Sequence, residues 1–177
     1  VGGKWRVSAI PANVSGSSYA VWVGLGGIRS TELLQVGTHA IVSGKTVRYS
    51  AWYEFFPGRA KVIPFAVRPG DLVEARIAFK KDGFWTVSLN NLTTKKSHSV
   101  VVSYAGRFDS AEWIVEVPRR DGGALSILPD FKSIVFSSVW TIKNGRQRSL
   151  YAAEAFPVTM VDLARKTLLA HVSATGF

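Results

Sequence analysis

Arg68-Pro69-Gly70-Asp71, then Leu72-Val73-Glu74-Ala75-Arg76-Ile77-Ala78-Phe79, then Lys81-Asp82-Gly83 and Phe84-Trp85-Thr86-Val87-Ser88-Leu89, reads as turn, strand, tight turn, strand. Pro-Gly-Asp is turn chemistry, with proline presetting φ and glycine accepting positive φ. Val73, Ala75, Ile77 and Phe79 alternate with Leu72, Glu74, Arg76 and Ala78, the period of a half-buried strand. Asp82-Gly83 supplies the positive φ values of a two-residue hairpin. On the return strand Trp85, Val87 and Leu89 share a face.

The same grammar extends in both directions. Short runs of Val, Ile, Thr and aromatic residues are broken by Gly, Pro, Asn and Asp. Asn90 to Ser97 is polar and reads as a loop, and Val100 to Tyr104 as a further strand. Asn144-Gly145 predicts a hairpin between Ser133–Ile142 and Gln147–Ala152. Only Val161–Ala170 carries a helical pattern. No internal repeat or linker interrupts the series, so one domain over residues 1–177 is expected. The expected class is all-β, an antiparallel double-sheet β-sandwich.

Composition narrows the chemistry. The 177 residues hold no Cys and three His, His39, His98 and His171. That excludes a disulfide framework, a thiol nucleophile and a Cys-ligated metal. No two His sit at ligand spacing, so no metal is expected. No apolar run approaches the roughly 20 residues of a membrane helix. The net charge is +10, but its basic residues are scattered singles and pairs. The densest cluster is Lys143, Arg146 and Arg148 beside the Asn-Gly turn. A nucleic-acid interface gathers such residues on one face, so neither nucleic acid nor membrane is expected as a partner. The start, Val1-Gly2-Gly3-Lys4-Trp5, is neither a signal peptide nor an initiator Met, and a mature or trimmed chain is expected.

Four stretches set isolated polar groups among apolar and aromatic ones. They are Tyr19 to Gly27, Glu32 to Gly37, Arg48 to Pro57 and Ser110 to Pro118. Period two sorts their faces. Ala111, Trp113, Val115 and Val117 form a core face, opposite Glu112, Ile114 and Glu116. Two carboxylates four residues apart on one strand face are roughly 13 Å apart and form no close dyad. Ser50, Trp52, Glu54 and Phe56 share a face opposite Tyr49, Ala51, Tyr53 and Phe55. A carboxylate beside Trp and Phe is partly desolvated, which raises its pKa and suits it to acid–base work. These residues alone leave a β-sandwich that binds a ligand.

Taken together and in order, Trp22-Val23-Gly24, Leu34-Gln35-Val36-Gly37, Ala51-Trp52-Tyr53-Glu54-Phe55-Phe56-Pro57 and Ala111-Glu112-Trp113-Ile114-Val115-Glu116 resemble the glutamic peptidases, the eqolisins. The resemblance runs from about Val7 to Pro118 and more loosely to the C-terminus. It implies a concanavalin A-like or jelly-roll sandwich and a secreted, acid-acting endopeptidase. Polypeptides would be the substrates, with no cofactor, and a monomer is the expected state. By position it places the catalytic pair on Gln35 and Glu116, the second Glu of its motif. Trp22, Trp52 and Glu54 fall on positions that line the family's cleft, and Tyr53 beside them is expected to bind substrate as well. Where the family often has Asp near the cleft, this chain has Gly26, His39 and Ser50. Fewer carboxylates there would move the pH optimum upward or alter subsite preference.

Two other readings compete. A catalytically silent module would use Trp22, Trp52 and Tyr53 as a stacking platform for carbohydrate or peptide. A glycoside hydrolase would need two carboxylates about 5–9.5 Å apart, for which Glu54 and Glu116 are the candidates. The Gln35–Glu116 combination separates the peptidase from the stacking module, which has no need of that pair.

Overall fold

The computed structural model describes residues 1–119, 123–150, 155–162 and 166–173. Two antiparallel sheets form a sandwich. The first is built from β1 (Gly2–Arg6), β6 (Leu72–Phe79), β7 (Phe84–Asn91), β8 (Lys96–Ser103), β10 (Ser137–Lys143) and β11 (Arg146–Arg148), in the order β11-β10-β1-β6-β7-β8. The second holds β2 (Ser18–Gly26), β3 (Leu33–Ser43), β4 (Thr46–Phe56), β5 (Lys61–Val62) and β9 (Ala111–Glu116), in the order β5-β4-β3-β2-β9. A short separate ribbon joins β12 (Met160–Val161) to β13 (Leu168–Ala170).

Alternation decides which side chains enter the space between the sheets. Trp5, Val73, Ala75, Ile77, Val87 and Leu89 come from the first sheet. Tyr19, Val21, Val23, Leu34, Val36, Ala40, Val42 and Ala51 come from the second. Polar groups in this core find partners. The Trp5 Nε1–H donates to Thr38 Oγ1 at 3.0 Å, and the Trp113 Nε1–H to the Gly2 carbonyl at 3.0 Å. Both bonds run from one sheet to the other and fix their relative placement.

The opening hairpin forms as the sequence dictates. Asp82 and Gly83 take φ values of 51° and 75°, and Phe79 lies opposite Trp85. Asn144 and Gly145 do the same at 52° and 73°. In the turn before β6, Arg68 N–H donates to Asp71 Oδ2 at 2.9 Å, and Gly70 has φ 89°.

Several boundaries differ from the sequence reading. Phe79 is exposed, because the core ends before the hairpin tip; its ring packs edge-on against Trp85 at 5.2 Å. Half of the polar stretch Asn90 to Ser97 is strand, since β7 runs to Asn91 and β8 starts at Lys96, and residues 92–95 form the turn between them. Asn91 is buried and donates through Nδ2 to Asp71 Oδ2 at 2.7 Å, so a polar residue holds an interior position by being paired. β10 begins at Ser137 rather than Ser133. Its register on β1 shifts between Gly2 and Lys4, and Ser138 takes φ 49°, the mark of a bulge. The ends of the stretch read as helical pair as antiparallel strands, Met160 with Ala170 and Val161 with Leu168; residues 163–165 lie outside the described residues. Of the expected Gln147–Ala152 strand, β11 ends at Arg148, and residues 151 and 152 lie outside the described residues.

Candidate active site

The second sheet turns its other face away from the core. Register aligns that face into rows across β9, β2, β3 and β4. Glu112, Gly24, Gln35 and Glu54 form the first row. Ile114, Trp22, Gly37 and Trp52 form the next. Glu116, Ala20, His39 and Ser50 form the third.

The middle row is the floor. Trp22 and Trp52 are buried, and with Ala20, Leu33 and Ile114 they make a small apolar cluster separate from the main core. Gly37 lies between the two indoles because nothing larger fits. A Cβ there would stand 2.2 Å from the Val21 carbonyl oxygen and 2.6 Å from Trp22 Cβ. Gly24 has a related role, since a Cβ there would meet Trp22 Cζ3 at 2.6 Å. The Trp22 ring therefore lies along its own strand, over Gly24 and toward the first row.

Gln35 is buried, and its Nε2–H donates to Glu54 Oε2. An amide nitrogen carries two N–H groups. One is committed to Glu54, which fixes the plane of the amide, and one remains to donate. Glu54 is pushed above the ordinary carboxylate value by burial, and is pulled back by its bonds from Gln35 and the Ala60 backbone N–H. Tyr104 ties down this end of the sheet. Its hydroxyl donates to the Phe56 carbonyl and accepts from the Leu33 N–H at 3.0 Å. Nothing in its spacing marks Tyr104 in the sequence.

The two carboxylates of β9 differ in their partners. Glu112 accepts from Ser110 Oγ at 3.0 Å. Burial raises its pKa, and Glu116 raises it further. Glu116 is also raised, first by burial and then by the charge of Glu54, while the Trp22 indole N–H opposes the shift. That N–H makes no hydrogen bond of ordinary geometry. It therefore acts on Glu116 as a nearby dipole rather than as a formed bond. Trp52 Nε1 and His39 Nε2 are likewise buried without a partner on this face.

Five of the six residues singled out in the sequence thus share one face: Trp22, Gln35, Trp52, Glu54 and Glu116. Gln35 and Glu116 are not in one row. In a flat sheet their Cα atoms would be roughly 16 Å apart, from two strand spacings and four residue rises. Trp22, on β2, lies between them and beside Glu116, while Glu54, on β4, flanks Gln35 on the far side and is bonded to it. Tyr53 is the correction. It points the other way, packs against the main core and contacts Phe55 and His98. Period two sends it opposite Trp52, so it belongs to neither a cleft nor a stacking platform.

Residues 1–176 match the model of the peptidase A4 family. Aspergillopepsin-2 of Aspergillus niger is 26% identical over 172 residues, covering 82% of this chain. The chain spans 60% of that relative's length. Two solved structures share the fold. Aspergilloglutamic peptidase from Aspergillus niger superposes with a TM-score of 0.71 at 24% identity, over 82% of this chain and 94% of that one. A scytalido-glutamic peptidase with a transition state analog inhibitor gives 0.74 at 21%, over 91% and 86%.

Proposed function

The chain belongs to the peptidase A4 family, and from that premise we propose that it is a secreted endopeptidase of acidic media that uses Glu116 and Gln35 on polypeptide substrates. The observation that carries this reading is the Gln35 amide. It is buried on the outer face of the sheet, held by Glu54 and left with one N–H to give.

The chemistry follows from the positions. Ionised Glu116 takes a proton from a water, and that water attacks the scissile carbonyl. The free N–H of Gln35 donates to the oxygen as it becomes an oxyanion. Removing such a donor costs about 3–4 kcal/mol of transition-state stabilisation in comparable sites. Glu116 then returns the proton to the leaving amine. No metal and no covalent intermediate is needed. Trp22 and Trp52 give an extended peptide an apolar floor. Burial makes Glu116 a stronger base than a free carboxylate, so its working range begins above the ordinary carboxylate value.

Glu112 is the other candidate base, since it shares the row of Gln35. Its oxygen is engaged by Ser110, whereas Glu116 meets only the loosely placed Trp22 N–H. Digestion of an unfolded protein between pH 2 and 7 tests the assignment. Wild type is expected to cut in acid. Glu116→Gln and Gln35→Ala are expected to lose about 10²–10⁴-fold in rate. Glu112→Gln is expected to keep activity within tenfold. Loss in Glu112→Gln with retention in Glu116→Gln would move the base to Glu112. A folded wild type that cuts nothing at any pH, yet binds peptide, would restore the binding-module reading.

A further inference from the structure

His39 is an imidazole that the mechanism above does not use. It sits on β3 in the third row, with Ala20 of β2 on one side and Ser50 of β4 on the other. Its Nε2 is buried without a hydrogen bond. A buried polar atom left unpaired is costly and calls for a reason. Across Ala20 the same row holds Glu116. The two Cα atoms are separated by two strand spacings, roughly 10 Å. The residue between them is a single methyl, and both flanking side chains are long. Side chains of that length can reach toward each other across it, and Nδ1, the ring nitrogen that burial does not close off, is the one a bridging water can meet.

We propose that His39 is a positioning residue for the base, its ring and the Glu116 carboxylate facing each other over Ala20 and holding one proton between them. This rests on the assignment of Glu116 above. The pair exchanges between carboxylate with imidazolium and carboxylic acid with neutral imidazole. No bond is made to His39, and the proton count of peptide hydrolysis is unchanged. The imidazolium form keeps Glu116 ionised at a pH where its burial alone would protonate it.

Other charges around His39 are few. β2 presents only Ser18, Ala20 and Trp22 nearby. On β4 the nearest is Arg48, one row further and opposite Ile41, with Glu54 two rows back. β3 itself adds Gln35 and Ile41. β9 adds Glu112. Arg119, past the end of β9, is turned to the Gly123 carbonyl at 2.8 Å. The segment that meets Ser18 through the Ile127 carbonyl carries no charge from Gly123 to Pro129, and Asp130 is paired with Lys132. Among the described residues, Glu116 is therefore the anion nearest to His39 in its own row. Burial lowers the His39 pKa and raises that of Glu116, which brings the two titrations together.

Two independent readouts test the pair. The first is NMR titration of the histidine rings in the whole chain between pH 3 and 8, with His39 identified by the signal missing in His39→Gln. A neighbouring carboxylate favours the imidazolium. In Glu116→Gln the His39 midpoint should therefore fall by at least about half a pH unit. The second is the pH profile of kcat/KM. In His39→Gln the acid limb should move up by a similar amount, because Glu116 loses the positive charge that kept it ionised. A His39 midpoint indifferent to Glu116→Gln overturns the pair, as does an acid limb that stays in place in active His39→Gln. Coupled titration in a chain that cleaves no peptide would overturn the peptidase reading and leave the pair standing.

Discussion

The five-stranded sheet has two faces made by the same strands, and they obey different rules. Toward the core, β3 presents Leu34, Val36, Thr38, Ala40 and Val42. The one hydroxyl among them accepts from Trp5. On the other side it presents Leu33, Gln35, Gly37, His39 and Ile41. There, Trp22 and Trp52 keep indole N–H groups without hydrogen bonds, and His39 keeps an unpaired ring nitrogen. His98, the remaining such case among the described residues, is stacked on Tyr53 inside the molecule. One face spends its polar groups on holding the sheets together. The other carries an apolar floor and a Glu116 carboxylate free of formed hydrogen bonds, while Glu54 and Glu112 are each held by one neighbour.

That contrast can be broken from the core side first. Trp5→Ala removes a fully buried indole and orphans Thr38. It should cost about 3–5 kcal/mol in denaturant unfolding, without any direct contact with the site. A loss under 1 kcal/mol would mean that the two faces are not energetically distinct. Next comes Gly37→Ala, where the added methyl runs into backbone. It should cost about 1–3 kcal/mol by overpacking and displace Trp22, so peptide hydrolysis should fall along with the melting temperature. Unchanged melting would refute the close approach at Gly37.

A third test uses pH. Glu54, Glu112 and Glu116 all have raised values in the folded chain, chiefly through burial. A raised carboxylate contributes stability that is fully present below its unfolded value, about 4.3. The contribution is lost as pH rises through the folded value. Between pH 4 and 7 the melting temperature of Glu116→Gln should therefore fall less, or rise more, than that of wild type. The difference between the two proteins isolates Glu116 from every other titrating group, and identical profiles would remove Glu116 from the desolvated set. The smallest effect belongs to Trp52→Phe. It deletes a buried N–H that has no partner, so stability should stay within about 1 kcal/mol of wild type or rise. Loss of stability well beyond 1 kcal/mol would show the indole to be structural.

Much of this was legible in the sequence, for identifiable reasons. Period two and the Asp82-Gly83 and Asn144-Gly145 turns are local signals, and they specify hairpins wherever they occur. The sorting of Trp52 and Glu54 from Ala51 and Tyr53 is equally local, and it already places Tyr53 inside. Only the motif around Tyr53 draws it toward a cleft, against its own facing. What could not be read was register across strands. No spacing along the chain says that Gly24 falls between Glu112 and Gln35, or that His39 shares a row with Glu116. Those alignments depend on loops of different length, and Tyr104 closes the same end of the sheet from far along the chain. The burial of Asn91 is not legible locally, because it depends on Asp71, a partner twenty residues away.

The position of Trp22 has a consequence for observation. Its indole lies over Gly24 with Glu116 beside it, so the electric field on the ring changes when that carboxylate gains a proton. The excited state of an indole is sensitive to such a field, and the chain therefore carries an optical indicator next to its proposed base. Subtracting the emission of Trp22→Phe from that of wild type, across pH, would trace the ionisation of Glu116 in unlabelled protein with no substrate present. Addition of an extended peptide would then be visible as a displacement of that same curve.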